Sequence, residues 1–246
     1  MRDVGVENQY ALTLDQLRML AQRDLLDWWV GTGEMPFFER RQFLAQYFAD
    51  IVALYGGQAS EAAADYLFLQ RSLDDDLAGL VFPDVADPVG YAQAVASFNA
   101  GMRADEVTYA AMLNGDARAF ARAEQQSLKK LQGITNRLVL QPARVTVGMA
   151  SEEAGTLFAR LPEPGACPWC MMIASRGNVY RNQRAAAGKD YHDNCRCMAI
   201  EVKTWSELPK INKDLQARWE WLEDENGGGL SFKEWEASFK DSEDTE

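Results

Sequence analysis

Between residues 14 and 30 apolar side chains recur every three to five positions, at Leu17, Leu20, Leu25 and Trp28. That spacing lines one face of an α-helix. Thr13 and Gln16 stand where a capping box would open it, and Gly31, Gly33 and Pro36 stop it. The pattern predicts a second helix over 37–55, closed by Gly56-Gly57. A third over 60–72 holds Ala62, Ala63, Tyr66, Leu67 and Leu69. Pro83 and Pro88 bound a linker, and Asp87 stands as N-cap with Pro88 at the first position of a helix over 89–104. Another helix reaches Ala110 or Met112, and Asn114-Gly115-Asp116 opens a longer one to about Leu138.

Past Pro142 the segments shorten. Residues 156–161 suit a short strand, and Met198 to Lys203 alternates like one. Between them Gly165 to Cys170 reads as a turn-like knuckle, Met171 to Arg176 as one or two helical turns stopped by Gly177, 178–181 as extended and 184–189 as loop. A helix over 211–222, three glycines and a short aromatic helix follow. The expected fold is α+β, mainly α, in three parts: a helical N-terminal domain over 1–142, a small α+β module over 143–210, and C-terminal helices with a tail over 211–246.

The 246 residues carry 25 basic and 37 acidic side chains, a net charge of −12. Such a chain does not coat nucleic acid over its whole surface. Residues 223–246 hold nine acids and two bases, and the closing Asp241-Ser242-Glu243-Asp244-Thr245-Glu246 reads as a solvated tail. No apolar run approaches the ~20 residues of a membrane span, so no membrane partner is expected. The first residues lack the basic and then apolar pattern of a secretion signal.

Metal-ligand residues change the picture most. All four cysteines and the single histidine fall within 31 residues: Cys167-x-x-Cys170, then 21 residues, then His192-x-x-Cys195-x-Cys197. A Cys-x2-Cys turn aims two sulfurs at one point, and two facing clusters make the tetrahedral site that zinc prefers. Five candidates compete for four places. Either the four cysteines bind zinc and His192 is spare, or Cys167, Cys170 and His192 bind with one of Cys195 and Cys197, or the cysteines form two disulfides. A closed ligand set points to a structural zinc that staples a module with little core of its own.

The run from Phe158 to Tyr180, with Cys-Pro-Trp-Cys and Ala-Ser-Arg-Gly-Asn-Val-Tyr in it, is followed by Tyr191-His-Asp-Asn-Cys-Arg-Cys197. In this order these motifs resemble the phage Mu F-like minor head proteins, in particular the branch from actinobacterial tailed phages often labelled capsid maturation protease. The resemblance covers about residues 135–203. It implies a minor capsid component of the virion head, assembled in the host cytoplasm, in contact with the portal protein and other head proteins, and active in head morphogenesis or DNA packaging and ejection. It carries over Cys167, Cys170, His192, Cys195 and Cys197 as the metal-binding set, and no catalytic residue.

Two other readings stand beside it. A head protease would use Ser175 as nucleophile and His192, the sole histidine, as base, with Asp190 or Asp193 orienting the ring. That requires the four cysteines alone to hold the metal, and no Gly-x-Ser-x-Gly or His-Glu-x-x-His motif supports it. A DNA-binding module would use Arg118, Arg122, Lys129 and Arg137, which share one helix face, with Lys130 and Arg144 nearby. More often such a stripe is a solvated face.

Residues 223–234 resemble a degraded calcium loop, but the fifth place is Gly227, without a side-chain oxygen. A Gly turn between helices is the expectation. Of Trp219 and Trp221, two residues apart on one helix, one is expected in the core and the other on the surface.

Overall fold

The computed structural model describes residues 4–102, 105–177 and 191–240. Helices α1 (Val4–Gly31), α2 (Phe37–Ser72), α3 (Tyr91–Gly101), α4 (Asp105–Leu113) and α5 (Ala117–Ala154) come first. They are followed by β1 (Leu157–Leu161), α6 (Pro168–Ala174), β2 (Met198–Val202), α7 (Lys210–Glu225) and α8 (Phe232–Lys240). The fold is α+β and mainly α, as expected from the pattern.

Several helices outrun their sequence signals. Helix α1 begins before Thr13, whose hydroxyl donates to the Gln9 carbonyl inside the helix and caps nothing. Gly56 and Gly57 do not close a helix but lie within α2. Their bare Cα atoms admit two prolines: a Cβ at Gly56 would stand 3.4 Å from Pro142, and one at Gly57 3.5 Å from Pro88. The helix expected to end near Leu138 runs on through Pro142 to Ala154 and stops on Gly155, at φ +66°. Its start was legible, since Asp116 accepts from the amides of Arg118 and Ala119. Residue 142, where the texture of the sequence changes, thus lies inside a helix. Helix α3 begins at Tyr91 with Gly90 as N-cap, not at Val89 behind Asp87.

Helices α1, α2 and α5 bury one another along their length. Leu25, Leu44, Phe48, Val52, Phe98, Leu131 and Leu138 form one core cluster. A second joins Tyr10, Leu14, Ala63 and Leu67 to Leu140, Val147 and the sheet. The sheet is a single antiparallel pair, with Leu157 opposite Val202 and Leu161 opposite Met198. All five residues of β2 are buried. Glu201 on β2 is held by Arg71 of α2, two N–H groups donating at 2.9 and 2.8 Å. The Arg71 guanidinium also donates to the Ala150 carbonyl of α5.

Helices α6, α7 and α8 close a smaller core around Ile173, Leu215 and Trp235. Asn212 of α7 donates to the carbonyls of Arg160 and Ala174, which pins α7 to β1 and α6. Trp219 is packed against this core and Trp221 is exposed, the division expected from their spacing. At the would-be calcium loop, Glu234 accepts from the amide and hydroxyl of Ser231. It completes a capping box for α8, and Gly227, Gly228 and Gly229 make the turn at positive φ.

Candidate metal centre

Two stretches with no long helix of their own carry the cysteines: the first is held by α7, α8 and β1, the second by α5. Pro168 starts α6 with Cys167 as its N-cap residue, so Cys167 and Cys170 lie one turn apart on one face. The other stretch, 191–197, is turn and coil laid on α5. Asn194, at φ +69°, is the one non-glycine residue of positive φ among the described residues, and Asn tolerates that region better than most. Its amide donates to the Gly133 carbonyl at 3.0 Å. A Cβ on Gly133 would come within 2.8 Å of the Asn194 side chain. Gly133 is therefore the notch in α5 where the His192–Cys195 turn sits.

The ligand atoms converge. Cys167 Sγ lies 2.9 Å and Cys170 Sγ 3.3 Å from His192 Nε2, and Cys170 Sγ is 3.4 Å from Cys195 Sγ. Cys167, Cys170 and His192 form one group of potential ligands, and Cys170, Cys195 and Cys197 another, so Cys170 joins them. All four cysteines are free thiols, with no disulfide between them. The five-residue cluster could hold a metal ion.

The histidine is set for such a role. Its Nδ1 is 2.6 Å from the Asp193 carbonyl. A carbonyl only accepts, so Nδ1 carries the proton and Nε2 turns its lone pair toward Cys167 and Cys170.

Burial and neighbouring charges separate the thiols. Hydrogen bonds from Cys170 and Cys197 push the Cys195 thiol far below its usual range, against its burial and with help from Arg144. Hydrogen bonds with Cys195 and Cys197, and burial, push Cys170 up. For Cys197 the hydrogen bond with Cys170 is the largest single influence and lowers it, but Cys195 and burial together outweigh it and push the thiol up to about 12.

Beneath the cysteines lies a layer that the sequence did not mark. Arg144, 1% exposed, donates to the carbonyl of Cys195 at 2.9 Å and to that of Cys197 at 3.0 and 3.1 Å. Arg160 of β1 is buried too, and although burial lowers its basicity, Tyr191 and the thiols of Cys195, Cys197 and Cys170 raise it on balance. The guanidinium carbons of Arg144 and Arg160 stand 3.8 and 3.7 Å from the centroid of the Tyr191 ring. Two carbons that near one centroid do not fit on the same face, so the ring is held between them. The two cations offset the negative charge of thiolates.

A cavity of about 420 Å³ opens onto the cluster, with Arg18, Gln22, Glu163 and Arg196 at its polar wall. Arg196 donates to Glu163 at 2.6 Å.

The structure does not bring the protease residues together. The Ser175 hydroxyl donates to the Met172 carbonyl at the end of α6. Both ring nitrogens of His192 are engaged elsewhere, and the Asp193 carboxylate accepts from Arg137 at 2.8 Å. Asp190 lies outside the described residues, as do the expected extended and loop segments at 178–189. The basic face divides as well: Arg118, Arg122, Lys129 and Lys130 are exposed, Arg137 is tied to Asp193, and Arg144 is buried against the cysteine turn.

No helix among the described residues is long and apolar enough to cross a membrane. Comparison with curated proteins and with solved structures finds no match. The family model described as VG15 protein matches residues 1–220, through the long helices, the sheet and the whole Cys/His cluster: the chain belongs to the VG15 protein family, a viral gene-product family.

Proposed function

We propose that this chain is a minor head protein of a tailed phage, docked on the portal and other head proteins, and that its Cys/His cluster binds one structural zinc ion. The observation that carries the reading is the state of His192. Its Nδ1–H is committed to the Asp193 carbonyl and its Nε2 lone pair faces two cysteine sulfurs. That suits a ligand: the lone pair that a general base would offer to a serine faces sulfur instead, and the Ser175 hydroxyl is bonded to the Met172 carbonyl. Membership of a viral protein family and the order of the motifs between Phe158 and Cys197 support the head assignment.

The distances favour Cys167, Cys170, His192 and Cys195 as the tetrahedral set, because Cys170 bridges His192 to Cys195. Three thiolates and a neutral imidazole leave one excess negative charge on a zinc complex, which Arg144 and Arg160 balance. The bound ion would hold the 167–170 and 192–195 turns together on α5 and supply folding energy that so small a module lacks. Function is then positional: the staple presents the segment between the two turns to a partner.

Two measurements test this. Zinc content of the purified protein should be one ion per chain in the wild type and should fall in His192→Ala; equal zinc in both would make the four cysteines the set and free the histidine. Quantitative mass spectrometry of purified virions should find the chain at low copy beside the major capsid protein. Its absence from both procapsids and virions would overturn the head assignment.

A further inference from the structure

Two of the proposed zinc ligands are also placed to react with each other. Cys170 Sγ stands 3.4 Å from Cys195 Sγ, although 25 positions separate the two residues. Cys170 rides on α6, which Asn212 and Trp235 tie down through the carbonyls of Ala174 and Pro168. Cys195 rides on the turn that Asn194 seats on Gly133 of α5. Independently anchored segments therefore present the two sulfurs to one another. A disulfide needs them at about 2.05 Å, a closure of about 1.4 Å from the observed contact. That is within the swing of a cysteine side chain.

The remaining donors stand beside this contact. Cys167 Sγ faces His192 Nε2 at 2.9 Å. Cys197 shares a buried group with Cys170 and Cys195, all three sulfurs lying within 4.8 Å of one another. It is the thiol left over when four of the five candidates hold a tetrahedral ion. Bridging it to Cys195 would tie one segment to itself, whereas Cys170 to Cys195 ties two anchors together. The cavity of about 420 Å³ is lined by all four cysteines, so a small oxidant reaches the pair although both side chains are buried.

We propose that Cys170 and Cys195 are an oxidative modification site, at which a peroxide joins them in a disulfide that expels the zinc ion and replaces it as the staple. This rests on the zinc reading of the same cluster. One thiolate of the pair attacks an oxygen of hydrogen peroxide. The O–O bond breaks, hydroxide leaves, and the sulfur becomes a sulfenic acid. The other thiolate attacks that sulfur. The S–S bond forms, the S–O bond breaks, and a second hydroxide leaves. Two protons from solvent convert the hydroxides to water. The two sulfurs have lost two electrons and the peroxide has gained them.

A disulfide offers zinc no thiolate, and Cys167 with His192 is half of a closed site, so the ion leaves. The covalent bond then joins the same two turns that the ion had joined. Reducing surroundings keep the thiols and the metal, and oxidising ones keep the disulfide. A protein assembled in a reducing cytoplasm and carried out in a particle passes through both.

The test is a stepwise addition of hydrogen peroxide to the zinc-loaded full chain. Zinc, read with a chromogenic chelator, should be released in step with the loss of free thiols, which should fall from four to two after denaturation. Peptide mapping should find Cys170 bonded to Cys195, with Cys167 and Cys197 still reduced. Melting of the oxidised chain should be indifferent to a chelator that destabilises the reduced one. Dithiothreitol with zinc should restore the starting state. Cys197→Ser should form the bond and release zinc at the wild-type rate within about twofold, since it removes neither a proposed ligand nor a partner in the bond. Four thiols surviving the titration, or a bond between any other pair, would overturn the inference. So would an oxidised chain that keeps its zinc. A chain that never holds zinc fails the zinc reading and with it the exchange, and the thiol count and peptide map, repeated on that chain, tell this from a failure of the pairing.

Discussion

Arg71 and Glu201 form a two-pronged ion pair with both side chains about 95% buried, although 130 residues separate them. The pair joins the end of α2 to the second strand, and Thr156 adds a hydroxyl to the same carboxylate at 2.6 Å. It connects the long helices to the sheet from which the cysteine-bearing segments depart. Removing one partner leaves a buried charge alone, which costs roughly 3–5 kcal/mol. Arg71→Ala should therefore lower stability by that amount in urea unfolding, and Arg71→Met with Glu201→Met should recover most of it. A cost under about 1 kcal/mol for Arg71→Ala would mean that water reaches the pair.

Arg144 organises the second half of the Cys/His cluster without being one of its candidate ligands. Its guanidinium gathers the carbonyls of Cys195 and Cys197 on one side and the Tyr191 ring on another. Losses of supporting contacts of this kind commonly cost 10- to 100-fold in metal affinity. Arg144→Gln should weaken zinc binding within that range in a chelator competition, with the ligand count unchanged by X-ray absorption. An unaltered affinity would show that α5 alone holds the turn.

Gly133→Ala is the smallest change expected to disturb the centre. Its methyl group would enter the Asn194 side chain on the turn between His192 and Cys195. Overpacking of this order costs about 1–3 kcal/mol, and the turn must lift from α5 to relieve it. The expected outcome is faster zinc release, measured against a chromogenic chelator, with α5 intact by circular dichroism. Asn194→Gly should be far milder at the same position, since glycine accepts positive φ.

Asp74 gives a pH test remote from the metal. Lys203 donates to it at 2.8 Å, and this hydrogen bond holds the Asp74 carboxyl below the usual carboxylate range, against slight desolvation. A carboxyl depressed in the folded state contributes stability above its unfolded value, about 3.9. That contribution is lost as pH falls through the folded value, so the window lies below about pH 4. Carboxyl chemical shifts should show the Asp74 midpoint rise toward the ordinary value in Lys203→Met.

What the sequence made legible was local. The cysteine spacing, the Asp116 cap and the strand expected at Met198 to Lys203 all rest on signals within a few residues, and the structure places a helix start, a cap and a strand there, although β2 is buried on both faces and does not alternate. The two misread breakers share one cause. Gly56-Gly57 and Pro142 are helix breakers judged alone, but each occupies the crossing of α2 with α5 and the Pro88 linker, where a missing Cβ and a flat ring fit. Packing outweighed propensity there. The support that Arg144 and Arg160 give the cysteines is not legible in the sequence, because a buried arginine obeys no periodicity and its partners lie some 50 and 30 positions away. Read along α5, Arg144 was one more member of a basic stripe; in space it belongs to the cysteines.

Trp235 is wholly buried in the small C-terminal core, and its indole N–H donates at 2.8 Å to the carbonyl of Pro168, the residue next to Cys167. The Cys167–Cys170 turn therefore has an optical reporter already wired to its backbone. When that turn loosens, the indole loses its hydrogen bond and its dry surroundings together, and its emission shifts to the red. Loosening of the turn should then appear as a red shift of the Trp235 share of the intrinsic fluorescence, read against a Trp235→Phe control because the chain has seven tryptophans.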